Sequence, residues 1–543
     1  VWRSLVAHLL GVQVVAGSNP VTPTNFFLGP RKGTIFLPEH PPLDSGLGAG
    51  MMVTWESGIN MSKPFYQIAL ENREKMDQVS GTFCLAKWLQ VSIHLPTGRT
   101  HSCYHPPTHK IPLNLLDKQP DALHNTPLKA EERRLMKEGK RPPGCAYCWK
   151  VEDLGREHLS DRIYRSSEDW AWEKFEEIKG LPHDFPITPR YVEVNFNQAC
   201  QFKCSYCSPQ LSSAWMNEIK QYGFFPTSHG HNRMDWFEKN DLIPIGPTEP
   251  NLYVEAFWRW WPTLYPELRV FRMTGGEPLI DENTFKVLEY ALQHPHPDLT
   301  LSITTNLNPP QKQFDRFIEL VTQLQQKKSI KNFALFVSMD SIGAQAEYIR
   351  YGLNYENFTA NLEKWMAIPG SSVSFIQTFC NLALPGFKKY LEWILELRKK
   401  YNDGEQKIFF DTPFLRSPGF LSLQILDEKT KSQLDPVISW AETLAQGNPD
   451  SVNSFSAMEV AKMKRVRDWM NSDGPAEIER LRADFYFYFT EYDLRRKVNF
   501  HKTFPELKDF WNLCRVSSEA FSRTYDSQNK FASELEALKN HKR

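Results

Sequence analysis

From Tyr191 onward the chain alternates between two hydrophobic rhythms. Tyr191-Val192-Glu193-Val194-Asn195-Phe196 runs at period two, the pattern of a half-buried strand. Five further stretches of strand character follow, at 268–274, 300–306, 332–340, 371–380 and 407–411. Between them apolar residues recur at helical spacing, near 281–293, 310–327, 343–367 and 386–401. Six strands with intervening helices predict a βα repeat, and so a parallel sheet with right-handed crossovers. The expected fold class is α/β: an open (β/α)6 three-quarter TIM-type barrel over 188–427, its active face at the carboxyl ends of the strands.

Other regions keep a different rhythm. An insertion near 210–266 carries Phe224-Phe225, Trp236 and Trp258-Arg259-Trp260-Trp261. Such aromatic runs predict core packing, with a substrate platform as the alternative. The stretch 428–543 reads as a helical C-terminal region, Asp473-Gly474-Pro475 opening an amphipathic segment at 476–493. Residues 62–165 hold four cysteines among short polar segments rich in Pro and His, and metal is the expected organiser there.

Charge narrows little, since Lys+Arg and Asp+Glu are both 64 and no global field points to nucleic acid or an anionic membrane. No run approaches the roughly 18 apolar residues of a membrane span, so a soluble protein is expected. Nine cysteines are too few for a disulfide scaffold of 543 residues, and seven fall in two tight sets, which favours metal ligation in a reducing cytoplasm. Leu5 to Ala16 is apolar after Arg3, but His8, Gln13 and the lack of a cleavage pattern argue against export. Gly17-Ser18-Asn19-Pro20 back-translates to GGT-TCG-AAT-CC, a transfer-RNA T-arm sequence. Residues 1–50 are therefore expected to be a non-native upstream extension, with the start at Met51, Met52 or Met61.

The first cysteine set follows the first strand directly. Cys200-Gln201-Phe202-Lys203-Cys204-Ser205-Tyr206-Cys207 spaces three thiols as C-x3-C-x2-C on one loop of the expected active face. A cubane cluster takes four thiolates when fully ligated, so three leave one iron open to an outside ligand. Zinc is the alternative, but it wants a fourth ligand and no Cys or His falls between 208 and 228. The second strand ends in Thr274-Gly275-Gly276-Glu277-Pro278, where adjacent glycines permit close backbone approach to a ligand and Glu277 offers an acceptor for an ammonium. An ordinary βα turn would also explain the glycines.

Together these motifs resemble the radical S-adenosylmethionine (SAM) superfamily, with Tyr206 as the aromatic before the third cysteine and Gly275-Gly276-Glu277-Pro278 as its GGEP motif. The resemblance implies a 4Fe-4S cluster on Cys200, Cys204 and Cys207, with SAM at the open iron. It implies reductive cleavage to methionine and a 5′-deoxyadenosyl radical, which takes hydrogen from substrate. Thr304-Thr305-Asn306, Ser338, Asp340 and Asn381 resemble cofactor contacts at later strand ends, although short polar residues also cap turns. Arg350, before Tyr351-Gly352, is a candidate partner of the cofactor carboxylate, an exposed helix arginine being the alternative. Cys380 reads as a buried apolar residue rather than a hydrogen-atom donor.

Upstream stand Cys84, Gly98-x4-Cys103 and Cys145-Ala146-Tyr147-Cys148. The segment resembles the twitch auxiliary-cluster domain, a shortened relative of the SPASM domain, here placed before the barrel. With Glu491–Arg496 and Phe504-Pro505-Glu506 the resemblance covers most of 80–515. It implies an auxiliary iron–sulfur cluster filled by four cysteines, suited to electron transfer or support. A structural zinc on the same four is the alternative, and His101, His105 and His109 crowd Cys103 as substitute or outer partners. Relatives with such domains often modify peptides or proteins, so a peptide or protein substrate is expected. A small-molecule or nucleotide-derived substrate is the runner-up, and a non-catalytic metal-stabilised binding protein the alternative from another class. The chemistry also implies a reducing partner such as flavodoxin or ferredoxin; no membrane or nucleic-acid partner is indicated.

Because residues 1–50 hold no cysteine and no core pattern, a chain beginning at Met51 should match the full chain in solubility and activity. A large fall in thermal midpoint on this truncation would overturn the misread start.

Overall fold

The computed structural model describes residues 65–525 apart from 157, 449, 450 and 473. The expectations for residues 1–50, for the start methionines and for Asp473 lie outside the described residues.

Among the described residues eleven strands form: β1 (Gln90–His94), β2 (Arg99–His101), β3 (His109–Lys110), β4 (Tyr191–Asn195), β5 (Lys203–Cys204), β6 (Val270–Thr274), β7 (His296–Thr305), β8 (Ile330–Ser338), β9 (Arg350–Tyr351), β10 (Val373–Ile376) and β11 (Ile408–Asp411). Nine make one sheet in the order β11-β10-β8-β7-β6-β4-β1-β2-β3. The six strands expected from periodicity are present as β4, β6, β7, β8, β10 and β11, all parallel. Helices Glu282–Gln293, Gln311–Gln326, Tyr355–Met366 and Phe387–Tyr401 cross between successive strands.

Alternation sets the register. Val192, Val194, Phe271, Met273, Leu301 and Ile303 project to one face and join a common core. Glu193, Asn195, Arg272, Thr274, Ser302 and Thr304 project to the other and are buried too. A slip of one residue would exchange these sets, so the pairing is strongly specified.

The N-terminal stretch contributes sheet structure that its cysteines and prolines obscure in the sequence. β1 lies parallel to β4, from Gln90 opposite Tyr191 to His94 opposite Asn195, and β2 and β3 extend it antiparallel. A second core gathers Phe83, Leu85, Trp88 and three cysteines against Tyr191, Phe336 and Ile376 of the sheet. The insertion forms helices Ser213–Tyr222, Met234–Lys239 and Leu252–Leu264; Phe225, Trp260 and Trp261 are buried while Trp236 is exposed. Packing therefore accounts for most of its aromatic run.

The helical stretch expected at 343–367 is broken into Gly343–Ile349 and Tyr355–Met366. Gly352 takes φ +112, and the Asn354 side chain accepts from Asn357 N to start the second helix. The break places β9 antiparallel to β5. The C-terminal region is helical, and the segment expected at 476–493 runs Ile478–Arg496. Among the described residues no helix is long and apolar enough to cross a membrane.

Ile93 on β1 is 1% exposed, so Ile93→Ala should cost about 2–5 kcal/mol. We expect one unfolding transition, shifted to lower denaturant. Two separated transitions, with only the weaker one moved, would show β1 to be an independent addition.

Candidate functional site

The three-cysteine loop leaves β4 and has little regular structure, so its shape comes from what grips it. Gly276 N and Glu277 N donate to the carbonyls of Asn197 (3.4 Å) and Ala199 (2.7 Å). Cys200 N donates to Ser213 Oγ (3.1 Å), and Trp215 Nε1 to the Cys204 carbonyl (3.0 Å). Helix Ile478–Arg496 adds two more contacts: Tyr488 donates to the Ser205 carbonyl (2.6 Å) and Arg496 Nη1 to that of Lys203 (2.9 Å).

The glycines serve this grip. Gly275 has φ +120, and a Cβ there would stand 2.2 Å from Asn195 Oδ1; one on Gly276 would stand 2.2 Å from the Ala199 carbonyl oxygen. The close backbone approach expected toward a ligand is thus first an approach to the cysteine loop.

Cys200, Cys204, Cys207 and Tyr206 line one cleft with Gly275, Gly276, Asn306, Ser338 and Arg350, at the carboxyl edge of the parallel strands. Phe202, Leu211, Thr304 and Thr305 complete the lining. Phe202 and Leu211 carry no motif and were not singled out from the sequence. Pro278, Glu277, Asp340 and Asn381 stand behind the cleft. The Glu277 carboxylate accepts from Thr305 Oγ1 (2.6 Å), Asn306 N (2.7 Å) and Leu279 N (3.0 Å), and so braces the end of β7. Burial pushes its pKa up to about 7. Asp340 accepts from Tyr206 (2.7 Å), Arg350 Nη2 (3.1 Å) and Thr378 N (2.8 Å). Asn381 donates to the Phe420 carbonyl (3.0 Å), away from the cleft. Cys380 is fully buried, as expected of an apolar residue.

The donor set suits a cluster and its ligand. Burial pushes Cys204 up to about 11 and Cys207 up to about 12, and it raises Cys200 too, together with the neighbouring Cys204 and Cys207. Binding as thiolates therefore needs a cationic centre and releases protons. Beside the thiols, Asn306 Nδ2 is buried without a hydrogen-bond partner, a donor suited to a polar ligand.

The second set also converges. Cys84, Cys145 and Cys148 are buried and Cys103 half-buried. Burial raises all four thiols; Cys103 feels Cys145 and Cys84, while Cys148 feels the other three. Lys87, buried and 2.7 Å from Glu132, interacts with Cys145 and Cys103, and Arg162 opposes the rise at Cys84. The histidines make other contacts: His101 with the Cys103 carbonyl, His105 with Asp161 (2.6 Å) and His109 with Thr126 (2.8 Å). Among the described residues no three His, Cys, Asp or Glu side chains are grouped to hold a single metal ion. Ligands of a cubane bind separate irons.

The fold is thus a mixed α/β one with a large parallel sheet that brings thiols, glycines and small polar groups to its carboxyl edge. No family model matches the chain. Over 116 residues it is 25% identical to GTP 3′,8-cyclase of Sulfurimonas denitrificans. The match spans 21% of this chain and 27% of the length of that relative. It supports the superfamily that the motifs resemble.

Gly276→Ala should force the Ala199 carbonyl aside, destabilising the chain by about 1–3 kcal/mol and lowering iron retained after reconstitution. An unchanged thermal midpoint and iron content would show that the loop is not held there.

Proposed function

We propose that the chain is a radical SAM enzyme on an open (β/α)6 three-quarter barrel, with a 4Fe-4S cluster on Cys200, Cys204 and Cys207. One observation carries this reading: the three thiols share a cleft with Gly275, Gly276, Asn306, Ser338 and Arg350. Similarity to GTP 3′,8-cyclase, a radical SAM enzyme, supports it. When bound, the cluster supplies the electron that splits SAM into methionine and a 5′-deoxyadenosyl radical. The chain's own residues bind and orient. Asn306 offers its unpartnered amide nitrogen and Ser338 its hydroxyl, while Glu277 fixes Asn306 through its backbone N–H. Phe202, Leu211 and Tyr206 give the cleft apolar surface that limits water.

In this reading Cys84, Cys103, Cys145 and Cys148 hold an auxiliary iron–sulfur cluster of the twitch kind, zinc being the alternative. Four cysteines fill every position, which suits electron transfer or support. The electron comes from a reducing partner of flavodoxin or ferredoxin type. By analogy with relatives that carry such domains, the substrate is a peptide or protein. A nucleotide-derived substrate is the second reading, favoured by the nucleotide that the matching relative's name contains.

Anaerobic incubation with dithionite and SAM tests the class. Replacing Cys200, Cys204 and Cys207 with Ala should abolish 5′-deoxyadenosine formation; its persistence would overturn the assignment. Cys145→Ala or Cys148→Ala should spare 5′-deoxyadenosine, lose product turnover and lower iron by about half, toward one cubane. Zinc makes a different forecast: about one zinc per chain beside about four irons, with only zinc lost in these variants.

A further inference from the structure

We infer that Arg350 donates to the Cys204 thiolate and tunes the cluster held there, rather than clamping the cofactor's carboxylate; this rests on the proposed cluster. The backbone sets the approach. Cys204 and Arg350 are direct partners in the β5–β9 pair, and Ser205 N donates to the Ile349 carbonyl (2.8 Å). The side chain completes it. Nη2 donates to Asp340 Oδ1 (3.1 Å), Nε lies 2.9 Å from Oδ2, and the remaining Nη1 points at Cys204 Sγ (3.9 Å).

A guanidinium is a rigid fork, so one edge held by a carboxylate fixes where the third nitrogen aims. Asp340 is itself fixed by Tyr206 and Thr378, and neither member of the ion pair is more than 3% exposed. Turning the fork to a cofactor carboxylate would strand a buried Asp340. Asp340 offsets part of the arginine's charge at a distance, but the N–H contact acts on the sulfur itself. Such a donor stabilises the more negative, reduced cluster and raises its potential. Arg350 is thus a positioning residue acting through Cys204.

The test compares reconstituted wild type, Arg350→Lys and Arg350→Gln by EPR-monitored redox titration, read in the signal that added SAM perturbs. Iron and sulfide content and SAM affinity are measured alongside. Arg350→Gln should lower the reduced-to-oxidised ratio at fixed potential about tenfold, about 59 mV for one electron, while largely retaining SAM affinity. Arg350→Lys, which keeps the charge but not the fork, should fall between. An unchanged potential with lost SAM affinity overturns the inference in favour of the carboxylate clamp. Should Arg350→Gln assemble no cluster, Arg350→Lys decides alone, and a wild-type potential there overturns the proposal. A wild type that assembles no cubane removes the underlying reading, whereas a cubane indifferent to both substitutions removes only this inference.

Discussion

The backbone carbonyls between Asn197 and Ser205 are claimed by different parts of the chain. Asn197 and Ala199 accept from the turn after β6, Cys204 from Trp215, Lys203 from Arg496 and Ser205 from Tyr488. Each bond is worth about 1 kcal/mol net, but losing the donor strands a buried acceptor at about 1–3 kcal/mol. A loop with only a two-residue strand of its own cannot hold three sulfurs by local preference. The turn after β6, the insertion and helix Ile478–Arg496 therefore all belong to the site, although none supplies a thiol.

That grip brings charge into the interior, where it must be balanced. Arg496 has a fully buried side chain and pairs with Glu218 at 3.1 Å, and Glu218 also meets Lys203. Removing one partner of such a pair leaves a buried ion uncompensated, which is strongly destabilising. Arg350 and Asp340 form a second buried pair beside Cys204. Cys204 thus feels two arginines whose charges are already answered within the protein, so the polarity around its sulfur comes from fixed groups.

The strands were legible because period two and burial on two faces leave a strong pattern, and the cysteine spacing was legible because it is local. The glycines were half legible. Gly275-Gly276 announces that something comes close, but only tertiary structure shows that it is Asn195 and Ala199. Helical spacing ran unbroken through 343–367 because apolar residues continue across the gap; Gly352 and Asn354 end and restart the helix, and that break delivers Arg350 to Cys204. β1 was hidden because five residues of alternation between cysteines resemble an irregular metal-bound segment. Tyr488 and Arg496 could not be assigned to the loop at all, since sequence separations of 283 and 293 residues carry no local signal.

The two cysteine sets share one scaffold. Tyr191, at the start of β4, packs in the core that contains Cys84, Cys145 and Cys148, and β4 ends at Asn195, beside the loop that holds the other three. At about 3.3 Å per residue, those ends are about 13 Å apart along the strand. β8 repeats the link, with Phe336 in the quartet's core and Ser338 in the cleft. A paired strand buried on both faces neither bends nor slides easily, so a change in either set's position must be carried by the whole sheet. Such rigidity holds the two sets of cysteines at a fixed separation. It also explains why an N-terminal segment rich in proline and histidine inserts a parallel strand beside β4 instead of docking as a separate lobe: pairing β1 in register fixes the quartet against the sheet that presents the cleft.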